Sequence, residues 1–133
     1  ETVSAGGMTL EPGSTPLDGF AVVMLNAVSG QELGDKGRYL VTALSRCRNQ
    51  DMKWNDERNS VGTHWGSGPS LCDGVPLDVA VPRGGDRSVK LYALNPDGTR
   101  RTSIKPARTT AEQATYIVGP RHKTLWYELE ITE

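Results

Sequence analysis

Alternation of apolar and polar residues is the feature that most constrains how this chain can fold. Residues 75–81 place valine or leucine at every second position, and residues 89–93 and 125–131 repeat the pattern with other apolar residues. Successive side chains of a strand point to opposite faces, so each segment predicts a strand with one buried face. In residues 125–131 the same alternation predicts that Trp126 points outward, beside two glutamates.

Five further segments predict strands, because apolar runs stand there between turn-forming residues. They are residues 8–10, 20–28, 38–48, 100–105 and 115–118. Residues 20–25 alternate little, which favours a central strand covered on both faces. The candidate helix, residues 109–114, is too short to decide the fold. About eight antiparallel strands with frequent turns predict an all-β sandwich, jelly-roll or immunoglobulin-like, in a single domain over residues 1–133.

Charge and hydropathy argue against two classes of partner. The 15 basic and 16 acidic residues give a formal net charge of −1, so no basic excess is present to bind a nucleic-acid backbone. No apolar run reaches the ~18 residues of a membrane-spanning helix. The chain opens at Glu1 with no apolar leader-like stretch, and we interpret it as a mature or excised fragment of a secreted, extracellular protein.

Cys47 and Cys72 enclose a segment rich in glycine, asparagine and serine. Two interpretations are open: a disulfide that closes this segment, or two small buried thiols. The even number of cysteines and the secreted-type composition favour the disulfide, which would stabilise the fold by roughly 3 kcal/mol. Neither cysteine stands in a spacing typical of a zinc site.

Residues 49–74 interrupt the strand pattern with a long irregular segment that carries two of the three tryptophans. Long loops on a compact domain tend to be functional. The apolar face of a sugar ring packs on an indole, while its hydroxyls pair with amide, carboxylate, guanidinium and imidazole groups. The candidate carbohydrate-binding residues of this segment are Trp54, Asn55, Asp56, Arg58, His64 and Trp65.

Each of these residues also has a structural interpretation. A tryptophan in a small β domain usually belongs to the core, and a loop asparagine or aspartate usually caps a turn. Trp126 is the third candidate for stacking on a sugar. It can instead cover the second face of the sandwich or pack against a neighbouring domain, and the sequence leaves these alternatives open.

Catalytic chemistry finds little support in the sequence. His64 and His122 lie in no metal-ligand spacing, and no serine has the context of a nucleophile. Asp51, Asp56 and Glu57 share the irregular segment, but clustered loop acids usually serve solvation or capping rather than glycoside hydrolysis. We therefore predict no enzymatic activity and no cofactor.

A structural calcium ion is a weaker expectation, because secreted sandwich domains often bind calcium through loop carboxylates. The loop carboxylates in question are Asp18, Asp35, Asp73 and Asp97. They form no spaced acidic motif, so no metal-binding residue is assigned.

Several stretches of the chain form a joint pattern. They are residues 39–46 (YLVTALSR), 52–55 (MKWN), 60–69 (SVGTHWGSGP) and 73–76 (DGVP), followed by 89–94, 96–98 and 124–128. From about residue 20 onward, this pattern resembles the β-sandwich accessory domains that stand C-terminal to TIM-barrel catalytic domains in bacterial glycoside hydrolases. The resemblance carries no binding residue over to this chain. Cys47 and Cys72 stand where relatives would have ordinary apolar or small residues, which favours a specific disulfide.

The resemblance implies one of two roles. The first is an extracellular, non-catalytic carbohydrate-binding module that recognises a plant or microbial cell-wall polysaccharide, such as a β-glucan, mannan or xylan. Such a module targets a linked glycoside hydrolase to its substrate. The alternative is a structural accessory domain that packs on the TIM barrel and stabilises it without binding sugar. The expected partners are thus a polysaccharide and a linked catalytic domain.

Overall fold

A computed structural model describes residues 2–16 and 19–133, and these residues form eleven strands and one 3₁₀ turn. The strands are β1 (Val3–Ala5), β2 (Met8–Pro12), β3 (Val22–Ala27), β4 (Gly37–Gln50), β5 (Ser67–Gly74), β6 (Leu77–Pro82), β7 (Ser88–Leu94), β8 (Arg100–Ile104), β9 (Arg108–Thr109), β10 (Gln113–Val118) and β11 (Trp126–Thr132), and the 3₁₀ turn is Pro120–His122. The all-β prediction is confirmed. The short strands β1 and β9, together with β5, add to the eight predicted.

The strands form two antiparallel sheets, as a β sandwich requires. The first sheet has the order β1-β2-β6-β10-β9 and the second the order β3-β4-β11-β7-β8. Strand β5 pairs with β4 beside the second sheet. Leu44 of β4 pairs with Val22 of β3 on one side and with Gly74 of β5 on the other side. Strand β5 therefore lies on the same side of β4 as β11, next to the residues of β4 that follow the pairing with β11.

The core lies between the inward faces of the two sheets, as the alternation predicts. The buried apolar residues of β6 and β11 are Leu77, Val79, Val81, Tyr127, Leu129 and Ile131. Burying a side chain of this size contributes about 1.5–3 kcal/mol relative to leaving it exposed. Trp126 occupies the other face of β11 and is exposed there, also as predicted.

Two fully buried tyrosines tie loops to this core through their hydroxyl groups. The Tyr39 hydroxyl donates to the backbone oxygens of Glu32 at 2.9 Å and Asp35 at 2.6 Å. The Tyr127 hydroxyl donates to the backbone oxygen of Gly119 at 3.3 Å. A buried hydroxyl without a partner would cost free energy, so these bonds fix the loops against the ends of the sandwich.

Two expectations about individual segments are wrong. Residues 20–25 do not form a central strand: β3 lies at the edge of its sheet, and its side chains alternate between exposed and half-buried. Val22 and Met24 are apolar but lie on the outer face, which hid the alternation in the sequence. Residues 109–114 are no helix, because they end β9 and begin β10, which pair with each other.

The irregular segment of residues 49–74 is shorter than predicted. Its last third is strand β5, which pairs with the end of β4 from Leu44 to Gln50, with register shifts between Leu44 and Cys47 and between Asn49 and Gln50. Cys47 and Cys72 stand directly opposite each other in this hairpin, with 4.2 Å between their Cα atoms, and they form a disulfide. The bridge therefore cross-links two neighbouring strands and closes the loop of residues 51–66.

Removing the disulfide should destabilise the protein without changing the fold. The two cysteines are 25 residues apart, and the chain-entropy model gives about 3 kcal/mol for a closed loop of this size. We expect the double variant Cys47→Ser/Cys72→Ser to lose about that much free energy of unfolding in a denaturant titration, with an unchanged far-ultraviolet circular dichroism spectrum. Equal stability of variant and wild type would contradict a structural role for the bridge.

Candidate functional site

The loop of residues 51–66 joins β4 to β5 and carries six of the seven candidate residues. Its two ends meet at Gly66, whose φ of 69° lies in the left-handed region. A Cβ atom on Gly66 would stand 2.1 Å from the backbone oxygen of Gln50, so only glycine fits here. Val61 is buried and anchors the middle of the loop. The loop thus has a defined conformation.

The side chain of Asn55 organises the turn inside this loop. Its Oδ1 accepts hydrogen bonds from the backbone N–H groups of Asn59 at 3.0 Å and Ser60 at 3.2 Å. Its Nδ2 donates to Oδ1 of Asn59 at 2.8 Å. The backbone N–H of Asn55 also donates to the oxygen of Ser60 at 2.9 Å. Asn55 therefore holds the loop together, which is the structural role that its residue type also predicted.

Trp54 and Trp65 point out of the ordered loop instead of into the core. Their exposed fractions are 50% and 61%. The backbone oxygen of Trp65 accepts a hydrogen bond from Nδ2 of Asn49 at 3.1 Å, which ties this end of the loop to β4. Two large aromatic side chains left in water are unusual for a loop held this firmly, and such exposure is typical of binding surfaces.

Trp54 lies between two open clefts. The first has a volume of about 390 Å³ and is also lined by Lys53, Asn55 and His64. The second has a volume of about 210 Å³ and is also lined by Arg46, Cys47 and Arg58. The structure thus brings four of the predicted residues, Trp54, Asn55, Arg58 and His64, around one ring. Asp56 and Trp65 are exposed on the same loop but line neither cleft.

Trp126 lies apart from the loop, on the outer face of the second sheet, with an exposed fraction of 37%. It lines a cleft of about 360 Å³ together with Cys72, Arg101 and Lys123. It also lines a cleft of about 290 Å³ whose other walls include the turn Pro96-Asp97-Gly98. Covering the second face of the sandwich, stacking on a sugar and packing against a neighbouring domain all stay predictions for Trp126, since a partly exposed ring on the outer face fits each of them.

Arg101, Lys123 and Pro96 were missed by the sequence analysis. They come from β8, the residue after the 3₁₀ turn and the β7–β8 turn. Lys123 stands three residues before Trp126 in the chain, whereas the fold brings Arg101 and Pro96 to it. Arg101 is held there by a hydrogen bond from its Nη2 to the backbone oxygen of His122. Pro96 and Arg101 stand 30 and 25 residues before Trp126 in the chain, so no local sequence motif joins them to it.

Two of the carboxylates weighed for calcium have partners within the protein, and one of them, Asp73, lies in strand β5 and not in a loop as predicted. Asp73 Oδ2 pairs with Nη2 of Arg46 at 2.9 Å. Asp97 Oδ1 accepts hydrogen bonds from the hydroxyl and the backbone N–H of Thr99, and these bonds lower the pKa of the Asp97 carboxyl. Within residues 2–16 and 19–133, no group of three or more His, Cys, Asp or Glu is placed to hold a metal ion. Asp18 lies outside the described residues, and calcium binding stays a prediction.

A further cleft of about 480 Å³ lies at another part of the sandwich and is lined by Arg83, Arg87 and Tyr116 among others, but by no tryptophan. The Tyr116 hydroxyl is committed to the backbone oxygen of Val89 at 2.7 Å, and Arg87 donates to the backbone oxygen of Gly34 at 2.9 Å. Because no tryptophan lines it and both Tyr116 and Arg87 are hydrogen-bonded within the fold, this cleft is a weaker candidate site than the tryptophan clefts.

Comparisons with protein-family models, curated proteins and solved structures give no match. In the part of the chain that the structure describes, no helix is long and apolar enough to cross a membrane. The chemistry of the site therefore has to be argued from its own residues.

The role of Asn55 in the loop can be tested by amide hydrogen exchange. In Asn55→Ala the N–H groups of Asn59 and Ser60 lose their acceptor, and each should exchange roughly fivefold faster for about 1 kcal/mol lost per hydrogen bond. The matched control is Asp56→Ala, which changes the neighbouring residue and leaves the acceptor in place. Equal exchange in wild type and Asn55→Ala would show that other contacts hold the loop.

Proposed function

We propose that this protein is a non-catalytic carbohydrate-binding module that holds a linked glycoside hydrolase on a cell-wall polysaccharide. The observation that carries the proposal is the exposure of Trp54 and Trp65 on a loop of defined conformation. An indole presented on a fixed loop offers a flat apolar face to the C–H groups of a sugar ring. Little ordering of the loop is then needed on binding, which reduces the entropic cost of association.

The polar groups beside Trp54 complete the proposed site. His64 and Lys53 line one cleft, and Arg58 lines the other. Sugar hydroxyls both donate and accept hydrogen bonds, so imidazole, ammonium and guanidinium groups next to an aromatic ring match their chemistry. Asn55 contributes indirectly in this proposal, because its amide shapes the turn that places Trp54 and Arg58.

The role in a larger enzyme rests on the sequence resemblance and on chemical fit. A module tethered to a catalytic domain raises the effective substrate concentration even when its own affinity is weak. The Cys47–Cys72 disulfide is compatible with an oxidising, extracellular environment. The alternative, a domain that packs on the catalytic barrel without binding sugar, would use the same exposed aromatics, and the binding experiment separates the two.

Replacing either loop tryptophan should abolish or weaken polysaccharide binding while leaving the fold intact. We expect Trp54→Ala and Trp65→Ala each to lose about 1–3 kcal/mol of binding free energy, by analogy with bases stacked on aromatic side chains. Binding is measured by affinity electrophoresis against a panel of neutral and acidic polysaccharides. Thermal melts should change little, because changes at exposed surface positions usually stay within about 0.5 kcal/mol.

The matched control is Phe20→Ala, which removes another exposed aromatic ring. Phe20 stands just before β3 and lines none of the tryptophan clefts. This variant should bind as the wild type does. If the wild type binds no polysaccharide of the panel, the carbohydrate-binding proposal fails and packing on a catalytic barrel becomes the better explanation of the exposed rings. If the wild type binds and both tryptophan variants bind equally well, the site lies elsewhere.

A further inference from the structure

We infer that the ligand is an anionic polysaccharide, bound along one continuous surface that runs from Trp54 across the Cys47–Cys72 disulfide to Trp126. This inference rests on the proposed function and adds to it the chemical class of the ligand. It also differs from the β-glucan, mannan or xylan that the resemblance implies. Two observations carry it: the way in which the tryptophan clefts adjoin, and the charge of the side chains that line them.

The four clefts that a tryptophan lines form a consecutive series. The two clefts at one end share Trp54, and the two at the other end share Trp126 and Pro96. The disulfide connects the two pairs, because Cys47 lines a Trp54 cleft and Cys72 lines a Trp126 cleft. A surface with several adjoining clefts suits an internal stretch of a polymer better than a single sugar.

The strand register explains why Trp126 and the disulfide are neighbours. Trp126 pairs with Thr42 of β4, and Leu44, two residues further along β4, pairs with Gly74 of β5. Residues two apart on a strand share a face, and so do paired residues of neighbouring strands. Cys72 stands two residues before Gly74 on β5 and therefore lies on the same outer face as Trp126. The disulfide therefore fixes β5 against β4, on the sheet face that carries Trp126.

The lining of this surface is cationic in a chain whose formal net charge is −1. Among the described residues, the charged side chains that line the four clefts are the cations Arg46, Lys53, Arg58, Arg101 and Lys123 and one carboxylate, Asp97. Cations thus stand at both tryptophans. Ammonium and guanidinium groups form their strongest hydrogen bonds with carboxylate and sulfate-type oxygens, which selects an acidic polymer.

Most of this positive charge is not cancelled inside the protein. Among the described residues, Lys53, Arg101 and Lys123 form no ion pair, whereas Arg46 is paired with Asp73. The hydrogen bond of Arg101 goes to a carbonyl oxygen, which positions the guanidinium and leaves its charge in place. Arg100 gives the contrast: it lies near Tyr92 on the same sheet but is neutralised by two glutamates.

Matched polysaccharides test the charge requirement directly. Affinity electrophoresis at low salt compares carboxymethyl cellulose with hydroxyethyl cellulose and dextran sulfate with dextran, so that each pair shares a backbone and differs in charge. We expect the wild type to be retarded more strongly by at least one charged polymer than by its neutral counterpart. Added salt should weaken that retardation by screening exposed charges.

The double variant Lys53→Gln/Lys123→Gln removes one cation at each end of the surface. It should bind the charged polymer roughly fivefold more weakly, as expected for two exposed charge contacts, with no change toward a neutral polymer. The control Lys105→Gln/Arg108→Gln makes the same change of charge at exposed residues outside the four clefts and should bind as the wild type does.

Three results would overturn the inference. Equal retardation by charged and neutral polymers, with Trp54→Ala still impaired, would leave the carbohydrate-binding function in place and remove the anionic ligand. An equal loss of affinity in Lys53→Gln/Lys123→Gln and in the control Lys105→Gln/Arg108→Gln would show unspecific charge attraction and no defined surface. Failure of every charged and neutral polysaccharide to bind the wild type would contradict the proposed function together with this inference.

Discussion

Burial of every second side chain between two sheets is the constraint on which the rest of this structure depends. Strand β11 shows both of its consequences. The side chains of Tyr127, Leu129 and Ile131 fill the core. The same alternation requires Trp126 to stand on the outer face, away from the core. The core thus sets the position of one aromatic ring of the proposed site without contacting it, since the backbone of β11 is fixed by its inward side chains.

The second sheet supports the rest of the site through the length of β4. This strand continues beyond its pairing with β11 and forms a hairpin with β5, which carries the loop of residues 51–66. A hairpin extending from a sandwich has little core of its own. Three local devices replace the missing core: the Cys47–Cys72 disulfide, the buried Val61 and the hydrogen bonds of Asn55. They allow Trp54 and Trp65 to stay in solvent while the loop keeps its shape.

Local pattern predicted most of the fold and only part of the candidate site. Alternation is strong in β6, β7 and β11, because apolar residues stand at every second position and the residues between them are polar, aromatic or, at Ala80, small. It fails in β3, where Val22 and Met24 are apolar on the outer face, and in β5, whose glycine- and proline-containing sequence becomes a strand only by pairing with β4. Arg101 was out of reach for a related reason, since its proximity to Trp126 arises from sheet order rather than from any local motif. Lys123, three residues before Trp126, could have been found from the sequence.

The most direct test of the central claim, that the exposed tryptophans form a sugar-binding surface, is a nuclear magnetic resonance titration that follows the three indole N–H signals. Oligosaccharides are prepared from the polysaccharide that binds best and are added to ¹⁵N-labelled protein. The account predicts that the indole signals of Trp54 and Trp65 shift with saturation and that of Trp126 moves with them, while amide signals of β6 and β10 in the first sheet stay in place. Saturable shifts confined to the first sheet, with all three indole signals unmoved, would contradict it.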